Sequence, residues 1–175
     1  MLLMQLQLAT LMPRLQRWTC LNSTTLDAPV SGGDVGARDG KLSIMCGGEA
    51  SAFDRALPVL SLMGTNIRLM GPAGAGQHTK MANQLVIAST LMGVCEGLAY
   101  AKAAGLDPSE VLQAIGGGAA GSVQLNVMGA RIVKGDFAPG FFIEHFLKDL
   151  GIALAEAQRL GLDLPGASLA RRSEE

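Results

Sequence analysis

Gly71-Pro72-Ala73-Gly74-Ala75-Gly76-Gln77-His78-Thr79-Lys80-Met81-Ala82-Asn83-Gln84 is the stretch at which the chain changes texture. On its N-terminal side, Asn66 to Met70 is a short strand candidate. Gly71-Pro72 ends it, because proline can neither donate to a ladder nor extend one. On its C-terminal side the spacing predicts one long helix from about Gln77 to Ala104, ended by Gly105 as a C′ glycine. Strand signals stop beyond Gly74, so the fold turns on this boundary.

Upstream, Leu26-Asp27-Ala28-Pro29-Val30 is a short extended run ending on Ser31-Gly32-Gly33. Gly36 and Gly40 punctuate a loop before a second strand-like run, Leu42-Ser43-Ile44-Met45-Cys46, stopped by Gly47-Gly48. Glu49 to Met63 carries Phe53, Ala56, Leu57, Leu60 and Met63 at helical spacing. Residues 26 to 70 therefore read as strand, strand, helix, strand, the tail of an α/β domain. Downstream, Asp107 is an N-cap with Pro108 at the first helical position. A Gly/Ala-rich break at Gly116 to Gly121 precedes a helix from about Ser122 to Val133. Phe137 to Phe142 is a loop, and Ile143 to Leu160 is a strong helix capped by Gly161. This second part is all helical.

With 49% apolar and 17% charged residues, the 175-residue chain has the makings of a buried core and not those of a disordered tail. Its net charge of −1 offers no surface for nucleic acid or anionic membrane. The apolar run Leu85 to Cys95 is closed by Glu96 and Lys102 well short of a bilayer's roughly 20 residues, and reads as a buried helix. Cys20, Cys46 and Cys95 are odd in number and widely spaced, without a Cys/His cluster, so no metal site is expected and a reducing, intracellular compartment is. Residues 1–25 hold Arg14 and Arg17 and no acid, a composition equally compatible with an organelle transit segment and with an unrelated start.

Several residues carry possible chemistry, each beside a blander explanation. Gly116, Gly118 and Gly121 spell G-x-G-x-x-G, but a helix precedes them, so they read as a helix–helix turn and not a dinucleotide fingerprint. Gly71, Gly74 and Gly76 do follow a strand and open a helix, with the spacing G-x-x-G-x-G; taken alone, this is a tight turn that lets the helix pack on the sheet. Lys80 shares one helix face with Asn83 and Gln84. Periodicity alone favours a lysine snorkelling from a buried helix. The alternative is a partly desolvated lysine able to exchange a proton with a substrate. Ser31-Gly32-Gly33 is an ordinary strand-to-loop turn or a hydroxyl with two open backbone N–H groups that could hold a carboxylate. His78 and His145 sit in no ligand pattern, and Lys148-Asp149, as a lone feature, is a solvated pair.

These separate signals converge. Leu26 to Gly33 with Gly36, Ala37 and Gly40 resembles the substrate-binding signature of the β-hydroxyacid dehydrogenase family (the 3-hydroxyisobutyrate dehydrogenase and glyoxylate–succinic semialdehyde reductase group). Gly71 to Gln84 is similar to that family's catalytic-lysine segment, and Phe146-Leu147-Lys148-Asp149-Leu150 to its third block. The resemblance covers roughly residues 26 to 170. It implies that Lys80 is the general acid/base, that Ser31, Gly32 and Gly33 anchor a substrate carboxylate, and that Asn83 orients substrate and lysine. It further implies that Lys148 lies near the nicotinamide of NAD or NADP, that the substrate is a small hydroxy acid or semialdehyde acid, and that the chain forms a homo-oligomer. Gln84 departs from the asparagine that many members carry there, a difference expected to bear on substrate preference.

The expected fold class is therefore an α/β remnant, the last strands of a Rossmann-type domain, followed by an all-α domain with a long interdomain helix. The expected division is an unrelated or disordered start (1–25), a remnant of the NAD(P)-binding domain (26–72), a helical catalytic and dimerisation domain (73–170) and a tail (171–175). Leu164 to Ala170 begins a further helix that Arg171-Arg172-Ser173-Glu174-Glu175 replaces. The family's fingerprint half is missing, so the chain reads as an incomplete copy. An alternative to the enzyme is a non-catalytic helical dimerisation module or an inactive fragment. Cytoplasm and organelle are not distinguished.

Overall fold

The computed structural model describes residues 24–138 and 140–174, and the proposed start at 1–25 lies almost wholly outside them. Strand β2 (Leu42–Gly47) is the middle of a three-stranded mixed sheet, between β1 (Val30–Ser31) and β3 (Gly64–Gly71). β1 runs antiparallel to β2, with Val30 opposite Ile44 and Ser31 opposite Ser43. β3 runs parallel to β2, with Ile44 opposite Ile67. Parallel neighbours need a crossover, and helix α2 (Ala50–Leu60) supplies it. β2 is buried at Leu42, Ile44, Met45 and Cys46, successive residues that point to opposite faces, which explains its nearly continuous apolar run. Leu42, Ile44 and Cys46 form a core on which Val30, Phe53, Leu60, Ile67 and Leu69 pack.

One segment departs from expectation. Gly36 lies not in a loop but inside a short helix, α1 (Gly33–Arg38). Asp34 sits in its first turn and Arg38 in its last, each on the side its charge favours, and they pair at 3.3 Å. Gly40 follows with φ of +64°. The expected strand from Leu26 shrinks to β1 and an isolated bridge between Asp27 and Gly47.

The helices begin with α3 (Ala75–Ala103), 29 residues long. Gly105 closes it at φ +78°. α4 (Pro108–Gly116) starts as predicted, the Asp107 carboxylate accepting from the Ser109 N–H. The following helix is not regular: Gln124–Gly129 is π-helical and leads into the short α5 (Ala130–Val133). Here the Ser122 hydroxyl accepts from Leu125 N–H, and Gly129 lies where a Cβ would come 3.0 Å from Leu112 and 3.4 Å from Val94. α6 (Ile143–Arg159) and α7 (Pro165–Glu174) complete the chain. α7 runs on through Arg171 and Arg172, so that charged stretch extends the helix and does not replace it.

The chain forms two compact units, each described by itself. The first takes the described residues up to Asn83 with Ala155–Leu160, and the second takes Gln84–Leu154 with Gly161–Glu175. The second has two small cores, Ala88, Phe146, Leu150 and Ala170 in one, and Val94, Leu98 and Leu125 in the other. An 18-residue window of α3 has a mean hydropathy of 1.3, enough by length and composition for a membrane span, yet only 28% of it is buried. The expectation of a buried helix therefore holds for one face, at Ala88, Val94 and Leu98, while Val86 and Tyr100 are 66% and 75% exposed.

Candidate active site

In the first unit, the chemistry-bearing blocks meet at Asp27. The residue is 5% exposed although it is charged, and a buried carboxylate persists only where donors replace its water. Its backbone exchanges both hydrogen bonds with Gly47, at 3.1 and 2.8 Å. Its side chain reaches across to α3: Gly74 N–H donates to Oδ1 at 2.6 Å and Gln77 N–H to Oδ2 at 2.9 Å. The first amides of a helix have no partner within it and carry the positive end of its dipole, so a carboxylate is the group they favour. The Gly71-x-x-Gly74-x-Gly76 turn is thus a tight turn, as read from its spacing, and its open donors are filled by the chain itself. Gly76 is required by the approach, since a Cβ there would lie 2.7 Å from Asp27 Oδ2 and closer still to the Met45 carbonyl oxygen. Gly47 faces the same junction, its Cβ position 2.6 Å from Asp27 Oδ1.

One turn beyond Gln77, Lys80 is 7% exposed. It lies inside the protein and does not extend into solvent, so the snorkelling explanation falls. Asn83, at i+3 on the same helix, is half-buried. Ser31 ends β1, half-buried, and Gly32 and Gly33 follow at φ +129° and +65°, conformations that side chains other than glycine's rarely adopt. The first unit therefore holds Ser31, Gly32, Gly33, Lys80 and Asn83, and Asp27 ties the two segments that carry them.

Lys148 belongs to the second unit. Its ammonium pairs with Asp149 Oδ1 at 3.0 Å, and Gln84 Nε2 donates to Asp149 Oδ2 at 2.7 Å. Asp149 and Gln84 are each 2% exposed while the Lys148 side chain is 30% exposed, so the carboxylate is buried and the pair is not a freely solvated one, which corrects the reading from sequence. Gln84 spends its amide on Asp149. The extra methylene over asparagine lengthens the reach from α3 to that carboxylate.

The acidities of Cys46 and Glu156 are altered by their surroundings. Burial, reinforced by the negative charge of Asp27, pushes the Cys46 thiol up. The Arg159 guanidinium hydrogen-bonds Glu156 at 2.5 and 3.0 Å and holds that carboxyl below the usual glutamate value, with His78 Nε2 at 3.7 Å adding to the effect. Among the described residues, no group of three His, Cys, Asp or Glu side chains is placed to hold a metal ion.

Sequence reasoning gave Asp27 no role of its own and took Asp149 only as half of the Lys148-Asp149 pair. Each left a trace. Asp27 is the one charge in an apolar strand, and Asp149 occupies a position in the stripe Phe146, Leu150, Ala153, Ala157 that is otherwise apolar and buried.

Residues 74–173 match the family described as the NAD-binding domain of NADP-dependent 3-hydroxyisobutyrate dehydrogenase, and residues 11–71 match the NAD-binding domain of 6-phosphogluconate dehydrogenase. A probable 3-hydroxyisobutyrate dehydrogenase-like mitochondrial protein of Arabidopsis thaliana is 54% identical over 86% of this chain and 45% of its own length. The 2-hydroxy-3-oxopropionate reductase of Escherichia coli (strain K12) is 48% identical over 85% of this chain and 51% of its own. The crystal structure of a 3-hydroxyisobutyrate dehydrogenase from Salmonella typhimurium superposes with a TM-score of 0.88 at 31% identity, over 97% of this chain and 60% of that one. The chain spans about half the length of the curated relatives it matches. On these matches the chain belongs to the β-hydroxyacid dehydrogenase family.

Proposed function

We propose that this chain supplies the proton-transfer and substrate-anchoring half of an NAD(P)-dependent oxidoreductase acting on a small hydroxy acid or semialdehyde acid. The observation that supports it most is the burial of Lys80 in the segment that Asp27 fastens to the strand leading to Ser31, Gly32 and Gly33. A lysine out of water is the kind of group that exchanges a proton with a carbonyl or alkoxide oxygen. In this reading Ser31 and the open backbone of Gly32 and Gly33 hold the substrate carboxylate, Asn83 orients the reacting oxygen, and Lys80 Nζ gives it or takes from it the proton. Lys148, fixed by Asp149, belongs to the cofactor side.

The family uses NAD(P), and hydride chemistry is the cofactor's. The Gly71–Gly76 strand-to-helix turn does not fit its phosphates, because its amides already hold the Asp27 carboxylate. No step is therefore drawn through the dinucleotide. The same proposal divides the chain at 72/73, with the helical part from 73 to 170. Homo-oligomer formation is part of the same proposal, supported by the exposed apolar residues Val86 and Tyr100 on α3. An intracellular location belongs to the same proposal, on three cysteines that are odd in number and widely spaced in sequence.

A second reading, a non-catalytic helical module that assembles with a longer relative or with itself, has the filled glycine-rich turn in its favour. Titration with NADH and NADPH, followed by assay with 3-hydroxyisobutyrate and with tartronate semialdehyde, separates the two. Binding and turnover that Lys80→Ala abolishes support the enzyme. Absence of binding supports the module, and full turnover in Lys80→Ala refutes the role given to the lysine.

A further inference from the structure

We infer that Asp27 is a positioning residue: it fixes the first turn of α3, and with it Lys80, against the strand that carries the substrate anchor. The inference rests on the function proposed above and assigns a role to a residue that this reading leaves idle.

The geometry is specific. Asp27 lies four residues before Ser31, and Gln77 three before Lys80. At about 1.5 Å of rise per residue, Lys80 is roughly 4.5 Å along the helix from the amide that Asp27 holds. Four bonds converge on the one residue: two on its backbone to Gly47 and two on its carboxylate from Gly74 and Gln77. The donors lie at the start of α3 and the acceptor in the extended segment that leads to β1, so the pair cannot slide without breaking charge-assisted bonds. Gly47 and Gly76 close the space around the carboxylate so tightly that a methyl at either would collide with it. A longer acid has no room, and an amide presents one oxygen and one N–H₂ donor where two acceptors are needed.

A group that only held the fold together would, on removal, weaken every property in proportion. Asp27 is expected to act selectively. Loosening it moves Lys80 while Ser31, Gly32 and Gly33 stay with the end of β1 and the start of α1, so the chemical step suffers and substrate capture does not. Misplacement by about 1 Å can reduce a rate by ~100-fold, and we expect Asp27→Asn to lower kcat at least ~10-fold, short of that limit, with KM for 3-hydroxyisobutyrate changed less than twofold.

The experiment compares the full 175-residue chain and Asp27→Asn by steady-state kinetics and by amide hydrogen exchange. In the unsubstituted chain Gly74 and Gln77 amides should be protected; exchange at unfolded rates would overturn the inference before any variant is made. In Asp27→Asn those two amides should lose protection while Ala88 keeps it, and kcat should fall with KM nearly constant. A rise in KM with kcat intact would overturn the positioning role and leave the dehydrogenase reading standing. A chain without turnover removes the dehydrogenase reading, and exchange then decides for Asp27: selective loss at Gly74 and Gln77 supports the clamp, unchanged protection refutes it. Should Asp27→Asn not fold, protection of these two amides in the unsubstituted chain carries the same decision.

Discussion

Gly76→Ala sets two physical effects against each other within one methyl group. In an open helix, alanine in place of glycine gains about 0.5–1 kcal/mol of backbone entropy. At position 76 the new Cβ would meet Asp27 Oδ2 at 2.7 Å, Asp27 O at 3.0 Å and the Met45 carbonyl oxygen closer still. The strand cannot yield, because Met45 N–H is bonded to Pro29 O at 3.0 Å and β2 is paired on both sides. The helix must therefore withdraw, and the bonds of 2.6 and 2.9 Å from Gly74 and Gln77 to Asp27 stretch beyond useful length. Hydrogen bonds to a charged group contribute about 1.5–3 kcal/mol each, so losing two outweighs the entropy gain and leaves a net destabilisation of about 2–5 kcal/mol. That is a large fraction of the roughly 5–15 kcal/mol that holds a typical domain. Urea titration followed by circular dichroism measures it. Gly93→Ala, on the same helix with nothing within 4 Å of its Cβ, is the control and should gain the full entropic amount, measured at a concentration too low for self-association. If Gly76→Ala were neutral or stabilising while Gly93→Ala behaved as expected, the close junction at Asp27 would be refuted.

Further expectations follow from the acidic groups and the thiols. The Glu156 carboxyl is held below its ordinary value by Arg159 and secondarily by His78. Its contribution to stability is thus complete above about pH 4.3, the unfolded glutamate value, and is lost as the pH falls through the folded one. Glu156→Gln should flatten the acid limb of the stability curve; an unchanged slope would show that Arg159 does not couple to it. Cys95 is exposed and Cys46 buried with its thiol pushed up, so a thiol reagent at neutral pH should modify Cys95 in the native protein and Cys46 only after denaturation. Rapid native labelling of Cys46, located by peptide mass mapping, would contradict the burial of β2.

The strand and helix order was legible because periodicity and punctuation are local. Gly105, Asp107-Pro108 and Gly161 end or start helices through their own backbone chemistry, and the structure keeps each within a residue or two. Where the reading failed, the deciding interaction was also the hidden one. Gly36 looks like a loop glycine, yet α1 forms around it, with Asp34 and Arg38 paired four residues apart across the helix. The π-helical turn at Gln124–Gly129 has no periodic signature, and Gly129 sits in it against Leu112 and Val94, residues distant in sequence. The lysine, the serine and the glycines of the candidate site could be named through the family resemblance of their short motifs, where periodicity alone favoured blander explanations. The carboxylates could not, since Asp27 and Gln77 are fifty residues apart and Gln84 and Asp149 sixty-five.

That contrast says what kind of information the site contains. Residues proposed to touch substrate are read from short motifs, because the reacting groups must be of one chemical type whatever surrounds them. Residues that hold those groups in place are chosen by the geometry of the fold, and their chemistry is visible only as an anomaly, a charge where an apolar side chain would be expected. Asp27 and Asp149 are both anomalies of this kind, each 5% exposed or less, Asp27 satisfied by Gly74 and Gln77 at the start of α3 and Asp149 by Gln84 of α3 and Lys148 of α6. A buried carboxylate without donors would be costly enough to remain neutral or be lost. Finding two, each with two ligating contacts within 3.0 Å, argues that α3 is fixed by charge as much as by packing. The helix that carries Lys80 buries Met81, Ala88, Val94, Leu98 and Ala101, but a hydrophobic face tolerates sliding, and directional bonds to carboxylates can set the helix's position along its own axis where such a face would not.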